Sequence, residues 1–251
     1  MGVFQRDNRA AMTPRMTERR ARKTPQPATP IRRPGRWLRR GTLTLAALVL
    51  AAIALPAWVA PPATPLMRSE ARRLGGIERE WVPMDRIAPV MARSAVAAED
   101  ANFCRHWGFD MAQIRAALAE GANRGASTIS QQTVKNVYLW NGRSWPRKAL
   151  EAAITPAVEL IWTKRRILEV YLNVAEFDEG VFGIGAAARH YFGVTPDALN
   201  AVQAARLAAI LPDPKGRSAA DPGPATRRRA ESIRDGAATI ARDGRAACFG
   251  G

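Results

Sequence analysis

The sequence predicts a mainly α-helical domain carried behind one N-terminal transmembrane helix, and three observations predict it. A run of twenty residues without an ionisable side chain, Gly41 to Ala60, lies between two charged blocks. Beyond it, apolar residues recur at three- and four-residue spacing between recognisable helix starts and stops. Alternating runs, the mark of half-buried strands, are nearly missing. With 251 residues, 47% hydrophobic and 24% charged, the chain is ordinary for a globular protein. Collagen-like, low-complexity and disulfide-dense classes are excluded.

The twenty-residue run, at about 1.5 Å per residue, makes roughly 30 Å of helix, the thickness of a bilayer's hydrocarbon core. Pro56 falls near its far end, where a kink costs least, and Trp58 suits the interface. Two other readings exist: a cleaved signal peptide, with Ala52 and Ala54 as small residues, and a buried core helix. The long basic arm ahead of the run opposes the first, and the lack of polar periodicity opposes the second. Charge supports the anchor. Of 38 basic and 22 acidic side chains, residues 1–40 hold 12 and 2, so the arm carries +10 of the +16 and the rest 26 − 20 = +6. That distribution argues against nucleic acid as a partner and for an arm retained in the cytoplasm by the positive-inside rule.

The expected layout is a disordered basic cytoplasmic tail over 1–40, a transmembrane helix over 41–60, a linker over 61–81 stiffened by Pro61, Pro62 and Pro65, and one exported domain over 82–251. Cys104 and Cys248 both fall in the exported part, where a disulfide is permitted; spacing leaves their pairing open. With no CxxC and only His106 and His190, no common zinc spacing exists, and no metal is expected.

Helix signals follow in order. Asp110 with Gln113 resembles a capping box, and Ile114, Leu118 and Ala122 then repeat until Gly125. Ser127-Thr128 before Gln131 starts a second helix, through about Val137. Ser144 with Pro146 opens a third, whose stripe Leu150, Ile154, Val158, Ile161 is expected in the core, with a bend at Pro156. Further helices are predicted over 165–173, over 185–192 with Gly193 as the stop, and after Thr195-Pro196.

Polar clusters interrupt these stripes. Glu99 and Asp100 follow the apolar run Val96-Ala97-Ala98, so a carboxylate there is partly desolvated and suited to proton transfer; the plain alternative is a solvated cap. In the second cluster, Gln131 with Lys135 and Gln132 with Asn136 are four apart, so one helical face carries amides and a cation. Free N–H groups at that helix start, beside Ser127 and Thr128, suit an anion such as phosphate, although no Walker loop is present. In the third, after Arg143, Glu151 shares a face with Arg147 and Lys148; a surface ion pair is the default account. The strings from Lys164 to Asn173 and from Gly183 to Gly193 read as tightly packed walls.

Read together, EDANFCRHWGFD, GASTISQQTVKN, RKALEA, RILEVYLN and GIGAAARHYFG, in that order from about Val82 to Leu211, resemble the monofunctional biosynthetic peptidoglycan transglycosylases, glycosyltransferase family 51. Weaker similarity runs through Asp221 to Arg229. The resemblance implies a lysozyme-like α-helical fold and polymerisation of lipid II into β-1,4 glycan with release of undecaprenyl diphosphate. It implies Glu99 as general base and Glu151 as the second catalytic acid. Ser127, Gln131, Gln132, Lys135, Arg143 and Lys148 correspond to the groove for the sugar diphosphate, and Thr128, Asn136 and Arg147, from the residue clusters themselves, are further substrate-binding candidates. Some members carry Lys before the second acid, where this chain has Leu150. The implied partners are lipid II, the lipid-linked glycan, the membrane, and proteins of cell-wall synthesis or division, with the domain outside a bacterial inner membrane. No cofactor is implied.

The residues favour the same chemistry on their own terms. A sugar hydroxyl needs its proton taken as it attacks, whereas a diphosphate leaving group is already anionic and needs cations more than a proton. Glu151, beside Arg147 and Lys148, suits a fixed anion better than an acid. Tyr138, Leu139, Trp140 and Trp145 are candidates for the membrane interface or for core packing. A lytic muramidase would share the Glu but not need the cations, and a non-catalytic anchored scaffold would need neither acid. No Ser-x-x-Lys occurs, which excludes a penicillin-reactive transpeptidase.

Overall fold

The computed structural model describes Met1, Gly2 and residues 35–121, 125, 127–142 and 144–250. Most of the expected tail lies outside the described residues, as do Ala122 and Arg143. The chain forms two compact units, Met1–Leu43 and Thr44–Gly251. In the first, Arg40 lies over the Trp37 ring at 5.9 Å, within the start of α1 (Gly35–Ala54). The helix begins ahead of the uncharged run and takes in Arg39 and Arg40. Among the described residues, one helical stretch is long and apolar enough to cross a membrane, Trp37–Ala57, with mean hydropathy 1.7. Leu45, Leu48, Val49 and Leu50 on it are exposed, which suits lipid better than water.

In the second unit, α1 ends where Pro56, lacking an N–H, starts a 3-10 turn over Leu55–Ala57. The carbonyls released at a helix end need donors, and side chains supply them. The Ile53 carbonyl accepts from Tyr138 Oη (3.2 Å) and Trp162 Nε1 (2.9 Å), while Arg166 donates to Pro56 O (2.8 Å) and Val59 O (2.7 Å). The 61–81 stretch, expected as a linker, contains α2 (Pro65–Leu74), capped by Thr64, and the side chain of Met67 is fully buried in the core.

Two helical groups build the domain. The first comprises α3 (Pro89–Glu99), α9 (Ala201–Ile210) and α10 (Pro224–Arg242), which pack on one another. The second comprises α5 (Ile129–Tyr138), α6 (Trp145–Ile161) and α7 (Lys164–Val174), with α5 against both α6 and α7. The last eight residues of α7, Ile167 to Val174, are all buried except Glu169, so it forms the domain's inner post. A short sheet, ordered β1-β3-β2, joins Glu78–Arg79, Val181–Phe182 and Glu176–Asp178; β1 runs parallel to β3, with Glu78 opposite Val181, and β2 antiparallel. Its brevity explains why no alternating pattern is visible. Then α8 (Gly183–Phe192) ends at Gly193 in the left-handed conformation, as predicted.

Several expectations need correction. After Asp110, α4 spans Met111–Ala119 and stops well before Gly125; Asp110 accepts from two backbone N–H groups, without the reciprocal bond of a capping box. Thr195-Pro196 opens only a 3-10 turn, and α9 starts from its own cap, Asn200. On α6 the apolar stripe does not define the inner face. Leu150 is 44% exposed and Ile154 half-buried, while Arg147, Glu151, Thr155, Val158 and Glu159 are buried. Its buried face packs on α5 and the loop after α3: Glu159 accepts from Ser130 Oγ of α5 and Thr155 lies against Gly108, while Arg147 and Glu151 pair with each other on α6.

Candidate active site

Glu99 is the last residue of α3, with its side chain 12% exposed. Gln132, on α5, donates from Nε2 to Oε2 at 2.9 Å. Arg229, on α10, reaches Oε1 at 3.4 Å and the Ala98 carbonyl at 3.3 Å. Asp100, next in the chain, is buried and bound differently. One oxygen pairs with His106 Nε2 (2.8 Å), and the other accepts from the Ile129 N–H (3.1 Å) at the first turn of α5. A carboxylate at a helix N-terminus is favoured by the dipole, so Asp100 pins the loop behind Glu99 onto α5.

This changes the expectation for that helix start. Thr128 is its N-cap, accepting from Gln131 N at 3.2 Å and donating to Gly108 O at 2.6 Å, while Gln131 Oε1 accepts from Thr128 N at 3.1 Å. Two of the first-turn donors expected to receive an anion, the N–H groups of Ile129 and Gln131, are therefore engaged by Asp100 and Thr128. Both Thr128 and Gln131 are buried, acting as the frame of the site. Gly108 carries φ +82°, and a Cβ there would meet Thr155 Cγ2 at 2.6 Å, which is how closely α6 approaches this loop.

On α6, Glu151 is 3% exposed and held from two sides: Arg147 Nη1 stands 3.3 Å from Oε2, and Lys148 Nζ bonds Oε1. Lys148 also donates to Ser127 Oγ at 3.2 Å, tying the exposed Ser127 to the same cluster. The sequence-predicted i,i+3 and i,i+4 pairs are thus present, but buried on the Glu151 side rather than solvated. Lys135 on α5 is half-buried, and its ammonium has no hydrogen bond or ion pair among the described residues. Burial pushes its pKa below the ordinary lysine value, aided by Arg147 and Lys148 and opposed by Glu151 and Glu99. Asn136 is half-buried beside it in sequence. Arg143 lies outside the described residues. An open hollow of about 310 Å³, lined by Ser144, Trp145, Arg147 and Lys148, adjoins the cluster. α5 therefore separates two environments: an acid with an amide and one peripheral arginine, and an acid saturated by cations with a further ammonium nearby.

These neighbourhoods, Glu99 with Gln132 across α3 and α5, and Glu151 with two cations on α6, are those that the five motifs imply. Residues 68–238 match the family described as Transglycosylase. The chain belongs to the transglycosylase family. It is 64% identical over 214 residues to a biosynthetic peptidoglycan transglycosylase of Jannaschia sp. (strain CCS1), covering 85% of this chain and 90% of that protein. Proteins of the same name from Yersinia pestis (strain Pestoides F) and Yersinia pseudotuberculosis serotype IB are each 49% identical over 192 residues, 71% of this chain and 79% of theirs.

Two residues of this transglycosylase site were not anticipated. Arg229 is 130 positions from Glu99, and only the Arg run at 227–229 marked it. Tyr171 is fully buried near both acids; burial first, then Glu99 and Asp100, holds its phenol well above the usual range. Asp100, His106 and Asp110 also bring three metal-capable atoms within 4.8 Å of one another. Each carboxylate is already engaged, Asp100 by His106 and Ile129, and Asp110 by Ala112, Gln113 and Asn102, so the trio acts as a hydrogen-bonded brace. Of the candidates for the membrane interface, Leu139 is buried and Tyr138 bonds Ile53 O, whereas Trp140 and Trp145 are exposed, Trp145 at 89%.

Proposed function

We propose that this enzyme, a peptidoglycan glycosyltransferase building glycan strands for cell-wall synthesis, polymerises lipid II with Glu99 as its general base. The 4-hydroxyl oxygen of an acceptor lipid II bonds to the anomeric carbon of the growing lipid-linked chain, inverting it to a β-1,4 link. Its proton passes to Glu99, and the carbon–oxygen bond to the diphosphate breaks, the electron pair leaving with undecaprenyl diphosphate. Lys135, Arg143, Arg147 and Lys148 hold that diphosphate, with Ser127, Gln132 and Asn136 lining the groove and Thr128 and Gln131 framing it. Glu151 orients Arg147 and Lys148.

The observation that carries this reading is the contrast between the two acids. Glu99 is met by a neutral amide at Oε2 and by a part-exposed arginine 3.4 Å from Oε1, while Glu151 carries a cation on each oxygen. A base needs a carboxylate that close cations have not already neutralised; an orienting anion needs its partners fixed. Lys135, a half-buried ammonium without a partner among the described residues, supports a role in anion binding. Residues 41–60 are proposed to anchor the enzyme in the inner membrane, with 1–40 cytoplasmic and the domain on the outer side, where lipid-linked substrate is concentrated.

The test is incubation of the detergent-solubilised full chain with labelled lipid II. Long glycan strands are expected. Absence of polymer, with release of fragments from preformed glycan, would replace synthesis with cleavage.

A further inference from the structure

The stretch from Ala97 to Cys104 carries Glu99 between two layers. α5 holds one side of it, through Gln132 and Ile129. The other side is gripped by α10 and the segment that follows it, far away in sequence. At Gly236 on α10, a Cβ would lie 3.2 Å from Ala97 Cβ, so only glycine lets α10 come this close without a shift. Beyond α10, Arg245 donates from Nη1 to the Ala101 carbonyl at 3.2 Å, two residues past Glu99. The Arg245 guanidinium is itself aimed by Asp243, which accepts from its Nε (2.7 Å) and its backbone N–H (3.1 Å). Phe249 packs on Phe103 with ring centroids 6.2 Å apart, both rings buried. A disulfide, Cys104 to Cys248, closes the arrangement across 144 positions, with Cα atoms 5.6 Å apart.

None of Arg245, Cys248 and Phe249 bonds to Lys135, Arg147, Lys148 or Glu151 among the described residues; Arg165 of α7 donates to the Phe249 carbonyl at 3.1 Å, and the segment's other outward contacts named here land on the Glu99 stretch. The disulfide thus ends five residues from the base, beside an aimed guanidinium. We propose that the segment Asp243–Phe249, locked by Cys104–Cys248, is a positioning element for Glu99, setting where its carboxylate stands relative to the acceptor hydroxyl. The inference rests on the reading of Glu99 as general base. A base must lie within hydrogen-bond reach of the proton it takes, and displacements of about 1 Å cost up to roughly 10²-fold in rate. The clasp therefore acts on turnover rather than on binding of the diphosphate, which the cations on α5 and α6 govern.

The experiment uses the full chain in detergent, oxidised or reduced with a phosphine at a temperature below its reduced-state Tm, with kcat and KM measured on lipid II. Reduction is expected to lower kcat by about tenfold or more with KM changed by less than about threefold. Arg245→Ala in the oxidised protein should move kcat the same way, and Arg245→Lys should recover part of the loss by restoring one donor to Ala101. Residual turnover in Glu99→Gln should respond little to reduction, because the clasp acts through the group already removed. An unchanged kcat in the folded, reduced protein overturns the proposal, as does a reduction effect of equal size in Glu99→Gln. Where the reduced chain unfolds, the two Arg245 variants decide the matter: unaltered kcat in Arg245→Ala overturns it. If Glu99→Gln polymerises at the wild-type rate, the assignment of the base has failed; if that variant is inactive while the clasp variants are normal, the clasp alone has failed.

Discussion

Exchanging Glu151 for glutamine removes one charge from a place where little water can replace it. The carboxylate is 3% exposed and faces Arg147, whose side chain is 10% exposed, at 3.3 Å, together with Lys148. Removing one member of a buried pair leaves the other uncompensated, at about 3–5 kcal/mol. Lys148 is 43% exposed and can return to water, so the penalty falls on Arg147, whose buried Nε already lacks a partner among the described residues. Glutamine keeps one acceptor oxygen, which puts the loss near the lower end, about 3 kcal/mol. At roughly 2–4 °C per kcal/mol for a domain of this size, Tm should fall by roughly 6–12 °C. Glu99→Gln should behave otherwise: its cation, Arg229, is 38% exposed, so stability should change by under about 1 kcal/mol while turnover falls by about 10²-fold or more. The assay is calorimetry of detergent-solubilised variants beside initial rates on lipid II. Combining Glu151→Leu with Arg147→Met should restore most of the lost Tm without restoring activity, since apolar replacements of a buried pair pack at little cost. A Tm for Glu151→Gln within about 2 °C of wild type would show that Arg147 is not held by this acid, and the electrostatic account of α6 would fall with it.

Lys135→Ala should abolish binding of a lipid diphosphate analogue with Tm little changed. Because burial lowers the pKa of Lys135, the ammonium is lost at a pH below that of an ordinary lysine. Anion binding should therefore weaken as pH rises through that lowered value, while folding stability rises there, since the unfolded chain binds the extra proton; Lys135→Arg should remove this alkaline decline, and a decline persisting in it would assign the titration elsewhere. Gly108→Ala sets a Cβ 2.6 Å from Thr155 Cγ2 at a positive φ and should cost about 2–4 kcal/mol, read as a lower urea midpoint at constant m; a midpoint unchanged would mean that the loop shifts freely. Arg166→Ala removes the donors to Pro56 and Val59 and should speed amide exchange at the end of α1, whereas unchanged protection would mean that water serves those carbonyls equally well. A reporter fused after Gly251 should be active only outside the cytoplasm, and cytoplasmic activity would reverse the proposed orientation.

Much of the site was legible because its chemistry is local. The Thr128–Gln131 capping box, the Ser144 cap and the pairs from Glu151 to Arg147 and Lys148 all lie within one turn of sequence. What was illegible depends on long-range placement. Nothing near Glu99 announces Arg229, and nothing near Asp100 announces that its oxygen occupies the first turn of α5. The Leu150 stripe misled because hydrophobicity identifies an inner face only where the core is apolar; here α6 buries Arg147, Glu151 and Thr155 against other polar groups. α10 was hidden by composition, its Arg run masking apolar buried positions, Ala230, Ile233, Ala237 and Ile240, that recur at three- and four-residue spacing.

The end of α1 bears on how a membrane-bound polymerase reaches its substrate. A Pro-rich flexible tether would raise local concentration but leave the height of the site above the bilayer free. Instead, the carbonyls of Ile53, Pro56 and Val59 are bound by Tyr138 of α5, Trp162 just after α6, and Arg166 of α7. Arg79 adds a bond to Pro61 O at 2.7 Å. Two of these helices carry the cluster, α5 with Lys135 and α6 with Arg147, Lys148 and Glu151. Arg166 is held in turn by Glu169, whose second oxygen accepts from Met84 N at 3.0 Å, so the mount is braced within the domain. A diphosphate on a lipid has its own fixed depth in the membrane. With residues 41–60 as the proposed anchor and these cations as the proposed diphosphate site, the bonds make the spacing between anchor exit and cations a property of the fold rather than of a linker.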